Sequence, residues 1–183
     1  MVGTDGVGKT PIAKALSEHY GLPYFKFANE VEALKSNKHP GQHMLWFDYG
    51  LTQVMEQTGL RIVSDRCFIC EKVYAGYFGR ETNWDLLYEV TQKHAELKSI
   101  VIFLWDSKIL SHPKEDEFVS TCDIEPIQRR YHSEIYYQAS MNLQVVSYDV
   151  STSAQCETFE QRLSIDLPNL VKLIDRINND ESF

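Results

Sequence analysis

The sequence predicts an α/β fold, a parallel sheet with helices on both faces, and three observations predict it. Short apolar runs alternate with amphipathic segments of helical period along the chain. Ser99 to Trp105 is a nearly unbroken apolar run, as a strand covered on both faces must be. A glycine-rich turn, Gly3 to Gly8, joins a strand remnant at Met1 and Val2 to an amphipathic helix.

Lys9 to Tyr20 is the first helix. It has Ile12, Ala13, Leu16 and Tyr20 at helical spacing, tolerates Pro11 in its first turn and stops at Gly21. Pro23 to Phe27 reads as a strand. Asn29 with Glu32 makes a helix start by the capping-box pattern. His43 to Thr58 is a helix with Met44, Phe47, Leu51, Val54 and Met55 on one stripe, ended by Gly59. Leu60 to Ser64 is a strand, with Asp65 and Arg66 at its carboxyl end. Helices come next at Cys67 to Phe78 and Trp84 to Leu97, the second burying Leu87, Val90, His94 and Leu97. His94 reads as a structural histidine. Ser107 to Thr121 is polar, aperiodic and carries Pro113, the pattern of a mobile loop. Ile124 to Ser140 is a helix and Gln144 to Val150 the last strand. Asp166-Leu167-Pro168 marks a fresh helix start near the end.

The chain has 183 residues, a span for one domain, 1–183. Its 18 basic and 26 acidic residues leave a net charge of -8, which argues against a long nucleic-acid partner. The longest apolar run is too short to span a bilayer, and nothing at the N-terminus resembles a signal peptide, so the expected compartment is the cytoplasm. Cys67 and Cys70 form a C-x-x-C without a partner pair, and read as small apolar helix residues.

Gly3-Thr4-Asp5-Gly6-Val7-Gly8-Lys9-Thr10 fits G-x-x-x-x-G-K-[ST]. Glycines let backbone N–H groups turn inward around phosphate, and the helix start adds its positive dipole end. Lys9, expected on the loop surface, would neutralise the β- and γ-phosphates of ATP, and the Thr10 hydroxyl would ligate Mg²⁺. The strand before this loop has two residues here: either it is very short, or a few residues precede Met1. Asp65 and Arg66 lie where parallel sheets bind ligands, at a strand's carboxyl end. A carboxylate there can hold a Mg²⁺-bound water or take a proton, and a guanidinium can neutralise phosphate. Asp106, at another strand end, could touch Mg²⁺ indirectly or cap the segment after it.

With these motifs the chain resembles the thymidylate-kinase family and its deoxynucleoside-kinase relatives, including small divergent members that bacteriophages carry. The resemblance rests on Thr4-Asp5-Gly6-Val7-Gly8-Lys9-Thr10 and on Ile62-Val63-Ser64-Asp65-Arg66. It implies a P-loop nucleotide-kinase fold with a five-stranded parallel sheet and a lid at about 107–123. It also implies ATP-dependent phosphoryl transfer to a deoxynucleoside monophosphate, a pyrimidine such as dTMP or a modified dUMP. By the same resemblance, Lys9, Asp65 and Arg66 are the catalytic candidates. Gly3, Asp5, Gly6, Val7, Gly8, Lys9 and Thr10 would bind ATP, with adenine near Val150 to Ala154, and Thr10 and Asp65 would serve Mg²⁺. Asp5 would hold the acceptor sugar, with Lys26, Phe47, Arg66, Glu71 and Tyr74 around it. Phe47 and Tyr74 lie on apolar stripes and fit the core equally well. Such a kinase takes a small-molecule acceptor, and a homodimer is compatible with it.

The chain departs from the family in two places. Leu51 stands where the family has an arginine that grips the acceptor, and the family's Arg-Glu-Pro motif after the second strand is absent. The loop after Ser107 offers lysines, Lys108 and Lys114, rather than arginines, with Arg129 and Arg130 beyond it. Two rival readings therefore stay open: a kinase of deoxynucleosides or modified pyrimidines, and a P-loop ATPase or nucleotide-binding switch.

Overall fold

Val2 occupies the seam between two pairs of parallel strands. The structure, a computed structural model, describes residues 1–26, 40–108 and 121–180. In these residues β1 (Tyr24–Lys26) pairs with β2 (Val63–Asp65), and β3 (Ile100–Trp105) pairs with β4 (Gln144–Asp149). Between the pairs lies Met1–Val2. The Met1 nitrogen donates to the Ser64 carbonyl at 2.7 Å and the Met1 carbonyl accepts from Arg66 N–H at 2.9 Å. On the other side Val2 N–H donates to Ile102 at 2.8 Å and the Val2 carbonyl accepts from Leu104 N–H at 3.0 Å. The expected five-stranded sheet therefore stands as two two-stranded parallel sheets, with Val2 forming a bridge to Phe103.

The helices are α1 (Lys9–Tyr20), α2 (Pro40–Thr58), α3 (Phe68–Phe78), α4 (Trp84–Glu96), α5 (Ile124–Ser140) and α6 (Phe159–Asp180). They cover both faces. The pleat of β3 sends Val101 and Phe103 into one core, with Leu45, Phe68, Val90 and Tyr131 from α2 to α5. It sends Ile102 and Leu104 into the other, with Ile12, Leu16, Leu170 and Ile174 from α1 and α6. This alternation between two apolar layers is why Ile100 to Trp105 reads as unbroken.

Two expectations change. The buried face of α2 is Leu45, Asp48 and Thr52, while Phe47 is 52% and Val54 46% exposed. Asp48 turns inward because it has partners there. Its Oδ2 accepts Phe68 N–H at 2.8 Å, and its Oδ1 lies 3.1 Å from His94 Nε2. His94 in turn reaches Ser99 Oγ at 2.9 Å and stacks on Phe68, a structural role as expected. The second change is Pro168, which lies inside one continuous helix rather than at a fresh start. Asp166, read as a helix opener, is buried and spends its oxygens on Tyr148 OH at 2.9 Å and Ser153 Oγ at 2.6 Å. The apolar stripe Leu163, Leu167, Leu170, Ile174 packs on the core and carries the helix through the proline.

Cys67 caps α3 and Cys70 lies in its first turn; both are free and buried. Burial pushes the Cys67 thiol up, away from reactivity. A cavity of about 440 Å³ at the amino edge of the strands is lined by Met1, Leu16, Leu51, Val63, Phe68 and Ile100, among others. Most of the expected lid, residues 109–120 with Lys114, lies outside the described residues, as does the Asn29–Glu32 helix start. Residues Thr121–Asp123 form a tight turn into α5. No helix among the described residues is long and apolar enough to cross a membrane.

Candidate active site

The loop from Gly3 to Gly8 is shaped by what its backbone must avoid. Gly3 has φ 145°, and a Cβ there would lie 2.2 Å from the Leu104 carbonyl oxygen. Only glycine permits that approach. Gly8 caps α1 at φ 89° with no side chain on the helix N-terminus, so the first N–H groups are open to an anion. Val7 anchors the loop by burying in the α1–α6 core.

Asp5 is the hub of the site. Its Oδ1 accepts from Arg66 Nη2 at 2.8 Å and lies 3.4 Å from Lys9 Nζ. Its Oδ2 accepts from Tyr74 OH at 3.0 Å. Burial alone would push the Asp5 carboxyl up, but Lys9 and Arg66 beside it and the Tyr74 hydrogen bond outweigh burial and hold it below the usual range. Burial would lower the Arg66 guanidinium, and Asp5 more than reverses this, so Arg66 stays charged. Arg66 has φ 76°, a left-handed backbone that bends the chain from β2 into α3. Lys9 is 7% exposed rather than on the loop surface, with Nζ donating to the Thr4 carbonyl at 2.6 Å. Burial lowers its pKa and Asp5 opposes that.

A second group sits on the same loop. Asp65, buried at the end of β2, accepts from Thr10 Oγ1 at 2.5 Å and from Tyr24 OH at 3.2 Å, both on Oδ2. Asp65 Oδ1 is buried and makes no hydrogen bond among the described residues. A carboxylate oxygen left bare in a buried position is costly unless a ligand meets it. Thr10 gives its one hydroxyl proton to Asp65, which leaves its lone pairs open to a cation. These residues fit a magnesium ion with its waters, which asks one or two protein oxygens rather than a cage. The described residues contain no cluster of three or more acidic, histidine or cysteine ligands.

The remaining candidates divide. Glu71 is 3% exposed and pairs with Arg80 Nη2 at 3.0 Å; burial raises its carboxyl more than Arg80 lowers it. Tyr74 packs against the core and its hydroxyl reaches Asp5. Phe47 stacks on Phe25 with ring centroids 5.2 Å apart, a half-exposed pair at β1. Lys26 is exposed at the end of β1, opposite Asp65 in register. Leu51 lines the cavity at the opposite, amino edge of the strands. Buried Asp106 accepts Lys108 N–H at 2.9 Å, and its backbone is clasped by the Gln128 amide, so it caps the turn after β3. Tyr24 is the residue the motifs miss: it belongs to no pattern, and only its place on β1 beside Asp65 brings it in.

This α/β arrangement matches the fold of solved nucleotide-binding proteins, a deoxynucleoside kinase among them. The chain is similar in structure to the YorR protein of Bacillus subtilis, solved in complex with phosphorylated GDP. Identity is 21%, over 96% of this chain and 95% of that one, with a TM-score of 0.59. It is also similar to deoxyadenosine kinase from M. mycoides with bound dATP, at 18% identity over 94% of this chain and 96% of that one, TM-score 0.58. The same kinase with bound dCTP matches at 16% identity over 95% and 96%, TM-score 0.52. The sequence matches no family profile and no curated protein.

Proposed function

We propose that this protein transfers the γ-phosphoryl group of ATP to a hydroxyl of a deoxynucleoside. The observation that carries this is the pairing of an open-capped phosphate loop with Asp5, a carboxylate clasped by Lys9, Arg66 and Tyr74 at its mouth. The donor phosphates lie on Gly3 to Thr10, and adenine lies near Val150 to Ala154, beside the turn Ser153–Gln155. Asp5, held ionised, accepts the acceptor's sugar hydroxyl. Lys9 leaves the Thr4 carbonyl for the donor phosphates, and Arg66 neutralises charge on the group in transfer. Thr10 and Asp65 hold Mg²⁺, which when bound neutralises the donor phosphate oxygens. Asp65 Oδ1, the bare oxygen, can take an acceptor proton or a metal-bound water. Catalysis is otherwise positioning.

The deoxynucleoside is favoured as acceptor because Lys9 and Arg66 both already contact Asp5. A dianionic acceptor phosphate needs cations of its own. The solved deoxyadenosine kinase, one structure of which holds dCMP as product, supports the same class. A second reading, a deoxynucleoside monophosphate such as dTMP or a modified dUMP, is favoured by the Phe25–Phe47 pair, on which a pyrimidine could stack. ATP consumption measured against a panel of deoxynucleosides and their monophosphates tests both. Turnover with nucleosides supports the first reading, and turnover with monophosphates alone the second. ATP consumption indifferent to every acceptor makes the protein an ATPase or switch and overturns both.

A further inference from the structure

Asp65 accepts both of its hydrogen bonds on one oxygen. Thr10 and Tyr24 donate to Oδ2, from the loop on one side and from β1 on the other. A carboxylate held by one donor can turn about its Cβ–Cγ bond and exchange its two oxygens. Held by two donors from different elements, it presents one defined oxygen. Here that oxygen is Oδ1, buried and bare among the described residues. Tyr24 is itself fixed: its backbone pairs in register with Val63 in the strand that carries Asp65, and Lys14 Nζ lies 5.7 Å over its ring.

We propose that Tyr24 is a positioning residue for the divalent cation bound with the nucleotide, acting by fixing the Asp65 carboxylate so that Oδ1 is the oxygen offered to that cation or its water. Tyr24 touches neither substrate nor reacting atoms in this role. The inference rests on the nucleotide-binding reading of the loop. Loss of such an outer partner typically weakens metal affinity by about 10-fold or more.

The test is calorimetric binding of ATP to wild type and to Tyr24→Phe, each with excess EDTA and with Mg²⁺, alongside thermal unfolding. Tyr24→Phe removes only the hydroxyl. The expected result is equal metal-free ATP affinity in the two proteins, with the Mg²⁺-dependent gain in affinity smaller by about 10-fold in the variant. Mg²⁺ gains that match, or a fall in metal-free affinity as large as that in Mg²⁺, would reduce Tyr24 to a packing residue and overturn the proposal. If wild type binds no ATP under either condition, the reading of the loop itself fails, and the proposal with it. Asp65→Asn separates the remaining case. If Tyr24 acts through Asp65, adding Tyr24→Phe to Asp65→Asn changes the Mg²⁺ gain no further, whereas an additive loss overturns it.

Discussion

Lys9 is drawn back onto the Thr4 carbonyl and Asp5, so its removal touches packing as well as charge. Lys9→Met, which keeps the aliphatic stem, is expected to retain the fold and to lose at least about a hundredfold in turnover, the scale of one lost electrostatic partner in a transition state. Circular dichroism and kcat check the two halves of that statement. Asp5 carries a pH prediction. Its folded pKa lies below the ordinary value, so its ion pairs stabilise fully above about pH 4 and are lost as pH falls through the depressed value. Asp5→Asn should therefore be less stable than wild type at neutral pH, and the gap should shrink below about pH 4; denaturant titrations across pH read it. At this scale the sequence was informative where a spacing rule exists. Lys9, Thr10, Asp65 and Arg66 were found by motif and strand end, and the structure brings them together with Asp5. Tyr24 was invisible, because a lone aromatic on a strand has the same signature whether it faces core or carboxylate.

Helix α3 starts two residues after the left-handed Arg66, and Asp48 on α2 holds that start through Phe68 N–H. Asp48→Ala would strand this amide and His94 in a buried place, at a cost of about 2–4 kcal/mol. Asp48→Asn, which keeps an acceptor oxygen, should cost less; urea unfolding ranks the two. Helix α6 makes the opposite case. Pro168 gives no N–H to the helix ladder, while Asn169 Nδ2 covers the Ile165 carbonyl at 3.0 Å. Pro168→Ala should stabilise the protein by roughly 1–3 kcal/mol, measured the same way. Both helices show why element patterns misread. In α2 a buried aspartate and threonine take core positions that hydropathy assigns to outside, so the predicted stripe was rotated toward Phe47 and Val54. In α6 local chemistry at Asp166-Leu167-Pro168 signals a break, and the packing of Leu163 to Ile174 overrides it.

Across the whole molecule, the alternation of β3 between two cores made the layered fold legible, since each face needs its own apolar set. The sheet's centre was less so, because Met1–Val2 is too short to show any period. Nucleotide binding to the folded state should raise its stability, by about 2.7 kcal/mol at a ligand concentration 100 times Kd. Thermal unfolding with and without ATP and Mg²⁺ measures this.

The place of Met1–Val2 between the strand pairs has a consequence for hydrogen exchange. Among the described residues, two backbone hydrogen bonds tie it to the β1–β2 pair and two to the β3–β4 pair. The loop from Gly3 to Gly8 springs from this join, and Thr10 reaches across to Asp65 on β2. A nucleotide that engages this loop and Asp65 together would therefore lash the two strand pairs, like rafts, to one another. The amides of Arg66 and Leu104, one on each raft, are the gauges: their hydrogen exchange should slow in concert when ATP and Mg²⁺ bind. Slowing at Leu104 alone would show a substrate that rests on one raft and fastens nothing.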